Sequence, residues 1–300
     1  MRNYSGRRVG GTRVRGAALL VILAAVLGLF LTPAWGQLPA GMKPYEVTQI
    51  APGVYSFRAF FHRNLFIVTP AGVIVTDPIS TAAAKELMAE IRKITQAPIK
   101  YVIYSHSHWD HATGGQIFKE AGARFISQAN CLPRFKDRPN PEVVIPDGTY
   151  TTNHTIRLGG KTVRLLYFGP NHSNCMTILH LPKERLAFAV DFFSPGSLPY
   201  RGLYDTYPQH VIASLKKLRD LDVDRIVPGH GPPALPKAAV NDVLGYWEDL
   251  MAAVTDAYNR KVPLEKAQQE IKLEKYAQWR GYEWLPLQID RIYFWLRLGY

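Results

Sequence analysis

The segment from Tyr104 to His111 reads YSHSHWDH and concentrates metal-binding side chain types in a short stretch. Neutral imidazole nitrogens and carboxylate oxygens bind borderline divalent metals such as zinc, and a catalytic zinc site uses three protein ligands and a water. The candidate ligands form two pairs, His106 with His108 and Asp110 with His111. Four ligands exceed one such site, so the segment predicts two adjacent metals. The alternative is a histidine-rich surface turn.

The metal-binding segment is expected on a turn between a strand and a helix. The run IKYVIYS before it is β-branched and aromatic, and ATGGQIFKEAG after it has helical spacing and ends near Gly122. Four further candidate side chains also follow predicted strands, namely Asp77, His172, Asp191 and His230. Because ligands gather at the carboxyl ends of strands in such sheets, we expect all of these residues at one edge.

The order of elements predicts an α/β fold. Short strands from Tyr45 to Asp77 indicate an antiparallel meander, and a helix from Ser80 to Thr95 follows. A second set of strands lies at Thr155 to Leu158, Thr162 to Phe168, Met176 to Leu181 and Leu186 to Val190, with Gly159 and Gly160 as a hairpin turn. Two such sets with helices outside predict a four-layer αββα sandwich of two mixed β-sheets.

The remaining segments are predicted to form a long loop and several helices. Residues Asn130 to Thr152 are rich in Pro, Asn and Asp and predict an extended surface loop. Helices are predicted at Tyr207 to Leu221, Leu235 to Arg260, Pro263 to Lys272 and Pro286 to Leu298. We therefore expect one domain over residues 37–300, with C-terminal helices from about residue 235.

The first 36 residues have the pattern of a secretory signal peptide. Five arginines and no acids precede an apolar run from Ala17 to Leu31, which is shorter than a membrane span, and small residues precede Gln37. We expect export to the periplasm or the medium, with cleavage near Gly36/Gln37 and no stable membrane span afterwards. An uncleaved N-terminal anchor is the alternative, and Sec and twin-arginine export both remain open.

The charge of the chain limits the classes of ligand that it is expected to bind, and its cysteine content limits the disulfides that it can form. The formal net charge of +12 falls to +7 without the five leader arginines, and no Lys/Arg block with interleaved aromatics indicates nucleic-acid binding. The remaining positive charge suits an anionic small-molecule substrate or an anionic membrane surface. The chain has two cysteines, Cys131 and Cys175. We expect Cys175 to be a packed thiol, and a disulfide between the two is the alternative. The sequence does not indicate an oligomeric state.

Taken together, the motifs SHSHWDH, GPNHS, AVD and PGHG resemble those of the metallo-β-lactamase superfamily, in order and over nearly the whole chain after the leader. The resemblance implies two zinc ions rather than iron or manganese. The implied ligands are His106, His108 and His172 for one ion, Asp110, His111 and His230 for the other, and Asp191 as the bridge. It also implies that Asp77 supports the metal-binding turn without binding a metal itself.

The branch of the superfamily is not assigned. Asp191 is followed by Phe192, Phe193 and Ser194, so the Cys and Lys of one lactamase group, the Tyr of lactonases and the Gly-Cys-Gly-Arg of glyoxalase-type thioesterases are missing. The substrate pocket is expected between a hairpin and a loop near the metals. Its expected walls are Phe60, Phe61 and His62 on one side and Tyr200, Arg201 and Tyr204 on the other, which suits an amphipathic anion.

The resulting hypothesis is an exported zinc-dependent hydrolase. A hydroxide between the two metals would attack an ester, lactone or lactam-type carbonyl, and Asp110 would orient it and move its proton. One alternative is an iron-dependent oxidoreductase on the same scaffold, since His and Asp also bind iron. Another is an exported protein that binds a metal or ligand without catalysis.

Overall fold

The first sheet has seven strands, and its antiparallel half is the predicted meander. A computed structural model describes residues 41–299 of the chain. In chain order, which is also the sheet order, the strands are β1 (Tyr45–Ala51), β2 (Val54–Ala59), β3 (His62–Thr69), β4 (Gly72–Thr76), β5 (Ile99–Ile103), β6 (Arg124–Gln128) and β7 (Gly148–Tyr150). Strands β1 to β4 pair antiparallel, and β4 to β7 pair parallel.

The second sheet has six strands in the order β13-β12-β11-β10-β9-β8. These are β8 (Asn153–Leu158), β9 (Lys161–Leu166), β10 (Ile178–Leu181), β11 (Leu186–Ala189), β12 (Arg225–Pro228) and β13 (Leu235–Pro236). Neighbouring strands pair antiparallel, except that β11 and β12 pair parallel. The predicted turn at Gly159 and Gly160 joins β8 to β9.

Helices fill the connections between strands. They are α1 (Thr81–Ile94), α2 (Trp109–Ala112), α3 (Gln116–Glu120), α4 (Cys131–Asp137), α5 (Pro208–Asp220), α6 (Val240–Asn259), α7 (Leu264–Glu270) and α8 (Leu285–Leu298). Helix α1 begins where the sequence predicts, because the Ser80 hydroxyl accepts a hydrogen bond from Ala83 N at 3.2 Å. Among residues 41–299, no helix combines the length and apolar character that crossing a bilayer requires.

Strand alternation separates the layers of the fold. Leu65 and Ile67 belong to a core shared by the two sheets, whereas Phe66 between them faces a second core that includes Leu87 of α1. Trp247 of α6 is buried in the first core as well. Two mixed sheets with helices on their outer faces confirm the predicted αββα sandwich.

Three local predictions differ from the structure. The segment Asn130 to Thr152 is not all loop, because it contains α4 and β7. The helix predicted from Leu235 begins at Val240, since Leu235–Pro236 pairs with β12 as a short strand. Cys175 is not a packed thiol: it forms a disulfide with Cys131, and both side chains are fully buried. The predicted signal peptide lies outside the described residues.

Candidate metal centre

The candidate ligands meet at one edge of the sandwich. The turn after β5 carries His106 and His108, the loops after β9 and β11 carry His172 and Asp191, and His230 follows β12. Their ligand atoms form two groups, each with all atoms within 4.8 Å of one another: one contains His106, His108, His172 and Asp191, and the other contains His62, Asp110, His111 and His230. The structure thus brings together all seven residues that the resemblance implies, and adds His62.

Asp191 lies between the two groups. Its Oδ2 is 3.3 Å from Nε2 of His106 and of His172, and its Oδ1 is 3.0 Å from His230 Nε2. The backbone of Asp191 has φ +62°, a strained conformation for a residue with a Cβ, and such strain is concentrated at functional sites. Gly229 permits this approach, since a Cβ there would be 3.0 Å from Asp191 Oδ1 and 2.5 Å from Val190 Cγ1.

Hydrogen bonds to the outer ring nitrogens orient three of the imidazoles. Ser105 Oγ is 2.8 Å from His106 Nδ1, and Asp77 Oδ2 is 3.3 Å from His111 Nδ1. Asp77 is fully buried, and its Oδ1 accepts a hydrogen bond from Ser105 N at 2.7 Å. His230 Nδ1 is 2.9 Å from the carbonyl oxygen of Phe61. In each case the remaining nitrogen, Nε2, faces the centre, as a metal ligand requires.

His108 is oriented by a carboxylate that the sequence analysis missed. Its Nε2 is 2.7 Å from Asp205 Oδ2, and its Nδ1 is 3.1 Å from His172 Nε2. Asp205 is 97 positions away in the chain, on the loop after β11, and no motif or spacing indicated it. His108 therefore presents Nδ1 to the first group, whereas its neighbours present Nε2.

The hairpin between β2 and β3 is held against the His230 turn. Arg63 N donates to Gly229 O at 2.7 Å, and Arg63 Nε donates to Gly231 O at 2.5 Å. His62 and His230 form an isolated antiparallel bridge across the two sheets. This contact places His62 Nε2 3.1 Å from Asp110 Oδ2. His62, which the sequence analysis placed in a wall of the substrate pocket, therefore lies within the second group.

The donor set fits divalent cations. His106 Nε2, His111 Nε2 and Asp191 Oδ1 are buried, and although imidazole and carboxylate atoms there lie 3.0 to 3.5 Å apart, none of the three makes a well-aligned hydrogen bond within the described part of the chain. Buried polar atoms without partners are costly, and a cation at the centre would satisfy all three. Imidazoles and carboxylates in two adjacent groups are suited to two such ions.

The electrostatics of the centre also favour added positive charge. Burial lowers the pKa of His172 to about 4 and also lowers that of His106. For His111, burial lowers the pKa, but the carboxylate of Asp191 and the hydrogen bond with Asp77 outweigh it and raise the pKa to about 10. Burial raises the pKa of Asp191, yet the surrounding imidazoles hold it well below its usual range. The buried anion of Asp191 is thus stabilised by positive charge around it.

A cavity of about 750 Å³ opens over both groups. Of the predicted substrate residues, Phe61, His62, Tyr200 and Tyr204 line it. Phe60 and Arg201 do not: Phe60 packs edge-on against Tyr45 at 5.8 Å, and the Arg201 guanidinium lies 5.2 Å from the centre of the Tyr200 ring and is exposed. Tyr200 and Tyr204 of this loop thus line the cavity, whereas Arg201 does not.

The C-terminal segment supplies two wall residues that the sequence did not indicate, Arg280 and Trp284. The ring of Trp284 meets Tyr200 edge-on, with 5.2 Å between centroids. These residues lie more than 45 positions beyond the last candidate ligand, His230, so no local pattern connected them to the metal-binding edge.

Comparisons with known proteins agree with this architecture. The linear primary-alkylsulfatase of Pseudomonas sp. (strain ATCC 19151) is 25% identical over 239 residues, covering 63% of this chain and 45% of that protein. The chain spans about half the length of the curated relatives it matches.

Two solved structures share the fold. A metallo-beta-lactamase from Pontibacter korlensis has a TM-score of 0.61 and 19% identity, covering 68% of this chain and 99% of its own. A double mutant of the sec-alkyl sulfatase PisA1 has a TM-score of 0.72 and 15% identity, covering 85% of this chain and 50% of its own. A sequence model described as "Metallo-beta-lactamase superfamily" matches residues 58–230, which include every candidate ligand. This chain therefore belongs to the metallo-beta-lactamase superfamily.

Proposed function

We propose that the protein is an exported hydrolase that uses two zinc ions to cleave an ester, lactone or lactam-type bond in an anionic small molecule. The observation that carries the proposal is the pair of adjacent ligand groups beneath an open cavity, with Asp191 of the first group 3.0 Å from His230 Nε2 of the second. The first ion would be held by His106, His108 and His172. The second would be held by Asp110, His111 and His230.

The chemistry that bound zinc supplies is a water of lowered pKa and polarisation of the scissile carbonyl. Asp110 is placed to handle the proton of that water, because its side chain is about half exposed to the cavity. Burial raises its pKa, but the hydrogen bond with His62 and the charge of His111 lower it below the usual range. Asp110 is therefore ionised at neutral pH and would orient the attacking water as a hydrogen-bond acceptor. Because bound zinc would lower the pKa of that water, Asp110 could take up its proton and pass it to the leaving group.

Export of the chain is supported by the basic and apolar leader in residues 1–36, which we propose is removed before a single domain over residues 37–300. The Cys131–Cys175 disulfide supports the same compartment, because such bonds form and persist in oxidising environments. A test is to express the full chain in a bacterium and sequence the N-terminus of the protein from the periplasmic fraction, which we expect to begin near Gln37.

The experiment that tests the activity is a substrate panel on the zinc-loaded mature protein. It contains aryl and alkyl esters, lactones, penicillins, carbapenems, phosphodiesters and alkyl sulfates, the last because a relative carries that name. The best substrate is then given to His108→Ala and Asp191→Ala variants, with exposed His154→Ala as the control. Hydrolysis that survives in both ligand variants near the wild-type rate would refute the proposed mechanism.

A further inference from the structure

The cavity over the metal centre has two chemically different ends. At its floor lie the candidate ligands, among them His108, His172 and Asp191. Its outer walls are largely apolar and include Phe61, Leu198, Leu203 and Trp284. Such a cavity favours a substrate with an apolar body that presents one polar group to the floor.

Arg280 is the exception in these walls. It is the one lysine or arginine that lines the cavity within residues 41–299. No carboxylate lies within ion-pair distance of its guanidinium in that part of the chain, and its Nε donates a long hydrogen bond to Ser197 Oγ at 3.4 Å. A guanidinium without an acidic partner has its planar set of donors available for an oxyanion.

The backbone holds Arg280 in place independently of its side chain. Arg280 N donates to Gly196 O at 3.1 Å, and Leu198 N donates to Arg280 O at 2.9 Å, so the segment bridges to the loop after β11. The next residue, Gly281, has φ +79°, and a Cβ there would be 2.4 Å from Trp284 Cε3. This turn packs the Trp284 ring against the residue that follows Arg280, and both Arg280 and Trp284 line the cavity.

We infer that Arg280 binds an oxyanion on the substrate, and that the substrate class is an amphiphilic anion whose apolar body lies against Trp284 and Tyr200. The inference rests on the proposed function for the identity of the cavity as the substrate site. It replaces Arg201 as the anion-binding residue, since the Arg201 side chain stacks on Tyr200 outside the cavity.

The test is calorimetric binding of ligands that cannot be hydrolysed, at concentrations below micelle formation, to the zinc-loaded protein. Decane-1-sulfonate and decanoate are the anionic probes, and decan-1-ol is the neutral one. The variants are Arg280→Ala and Arg280→Gln, with Arg201→Ala as the matched control that removes the same charge nearby. Because the bonds that hold Arg280 are made by its main chain, these variants should fold, and their thermal midpoints are measured alongside.

We expect Arg280→Ala and Arg280→Gln to raise the Kd of both anions about tenfold, because each variant loses a charge-assisted hydrogen bond at an exposed site. The Kd of decan-1-ol should change by less than about twofold. A response to one anion alone would restrict the class to carboxylates or to sulfonate-like groups. Unchanged anion binding in the Arg280 variants, or an equal loss in Arg201→Ala, would overturn the inference. Anion binding through Arg280 without turnover of any ester, lactone or lactam would instead refute the proposed hydrolysis alone.

Discussion

Replacing Asp205 by Asn should weaken metal binding in the first ligand group. The Asp205 carboxylate is 2.7 Å from His108 Nε2, and the two side chains are 25% and 31% exposed. Burial lowers the pKa of His108, but the hydrogen bond and charge of Asp205 outweigh it and raise that pKa. A partly buried bond of this kind contributes about 1.5–3 kcal/mol, which corresponds to roughly tenfold to 100-fold in affinity.

The assay is competition for zinc between the protein and a chromophoric chelator, which resolves the two binding steps. We expect one zinc dissociation constant to rise roughly tenfold to 100-fold in Asp205→Asn and the other to stay within about twofold. Asp256→Asn is the control, because Asp256 is an exposed acid on α6 that pairs with Arg260. If both constants of Asp205→Asn equal those of the wild type, Asp205 does not position His108 and the reasoning is refuted.

Three further changes test other parts of the site and its scaffold. Gly229→Ala should lower the free energy of unfolding by about 1–3 kcal/mol and weaken zinc binding, since the added methyl group would press on Asp191; thermal unfolding and chelator competition measure this. His62→Ala should weaken the zinc ion of the second group and spare the first, measured by the same competition. Cys131→Ser with Cys175→Ser opens a loop of 44 residues and should cost about 4 kcal/mol in unfolding free energy, measured by denaturant titration.

Each of these outcomes can contradict the structure. A wild-type thermal midpoint in Gly229→Ala would mean that the His230 turn does not approach Asp191 as closely as observed. Two unchanged zinc constants in His62→Ala would place His62 outside the second group. If the double Cys variant and the reduced wild type both have the same free energy of unfolding as the oxidised wild type, the disulfide does not contribute to stability.

The sequence predicted the parts of the site that depend on local patterns. Each ligand that the sequence predicted lies in a segment that follows a strand, and strand ends can be identified from β-branched runs that stop at Gly, Pro or Asp. The αββα layers follow from the same alternation, as Leu65 and Phe66 illustrate by facing different cores.

Contacts between distant segments could not be predicted in this way. Asp205 and Arg280 reach the cavity from loops whose paths depend on packing against other elements, and neither has a spacing that marks it. The helix Cys131–Asp137 was missed because Pro, Asn and Asp dominate its surroundings, and the Cys131–Cys175 pairing depends on the approach of two segments that are 44 positions apart. Arg201 was chosen because it lies on the correct loop, but a side-chain direction is not encoded by position on an irregular loop.

The central claim, a centre for two zinc ions, is tested most directly by elemental analysis of the purified mature protein. Because two ligand groups lie side by side, with Asp191 of the first 3.0 Å from His230 of the second, we expect about two zinc ions per chain and negligible iron. One metal ion or fewer per chain under zinc-replete conditions, or iron in place of zinc, would contradict it.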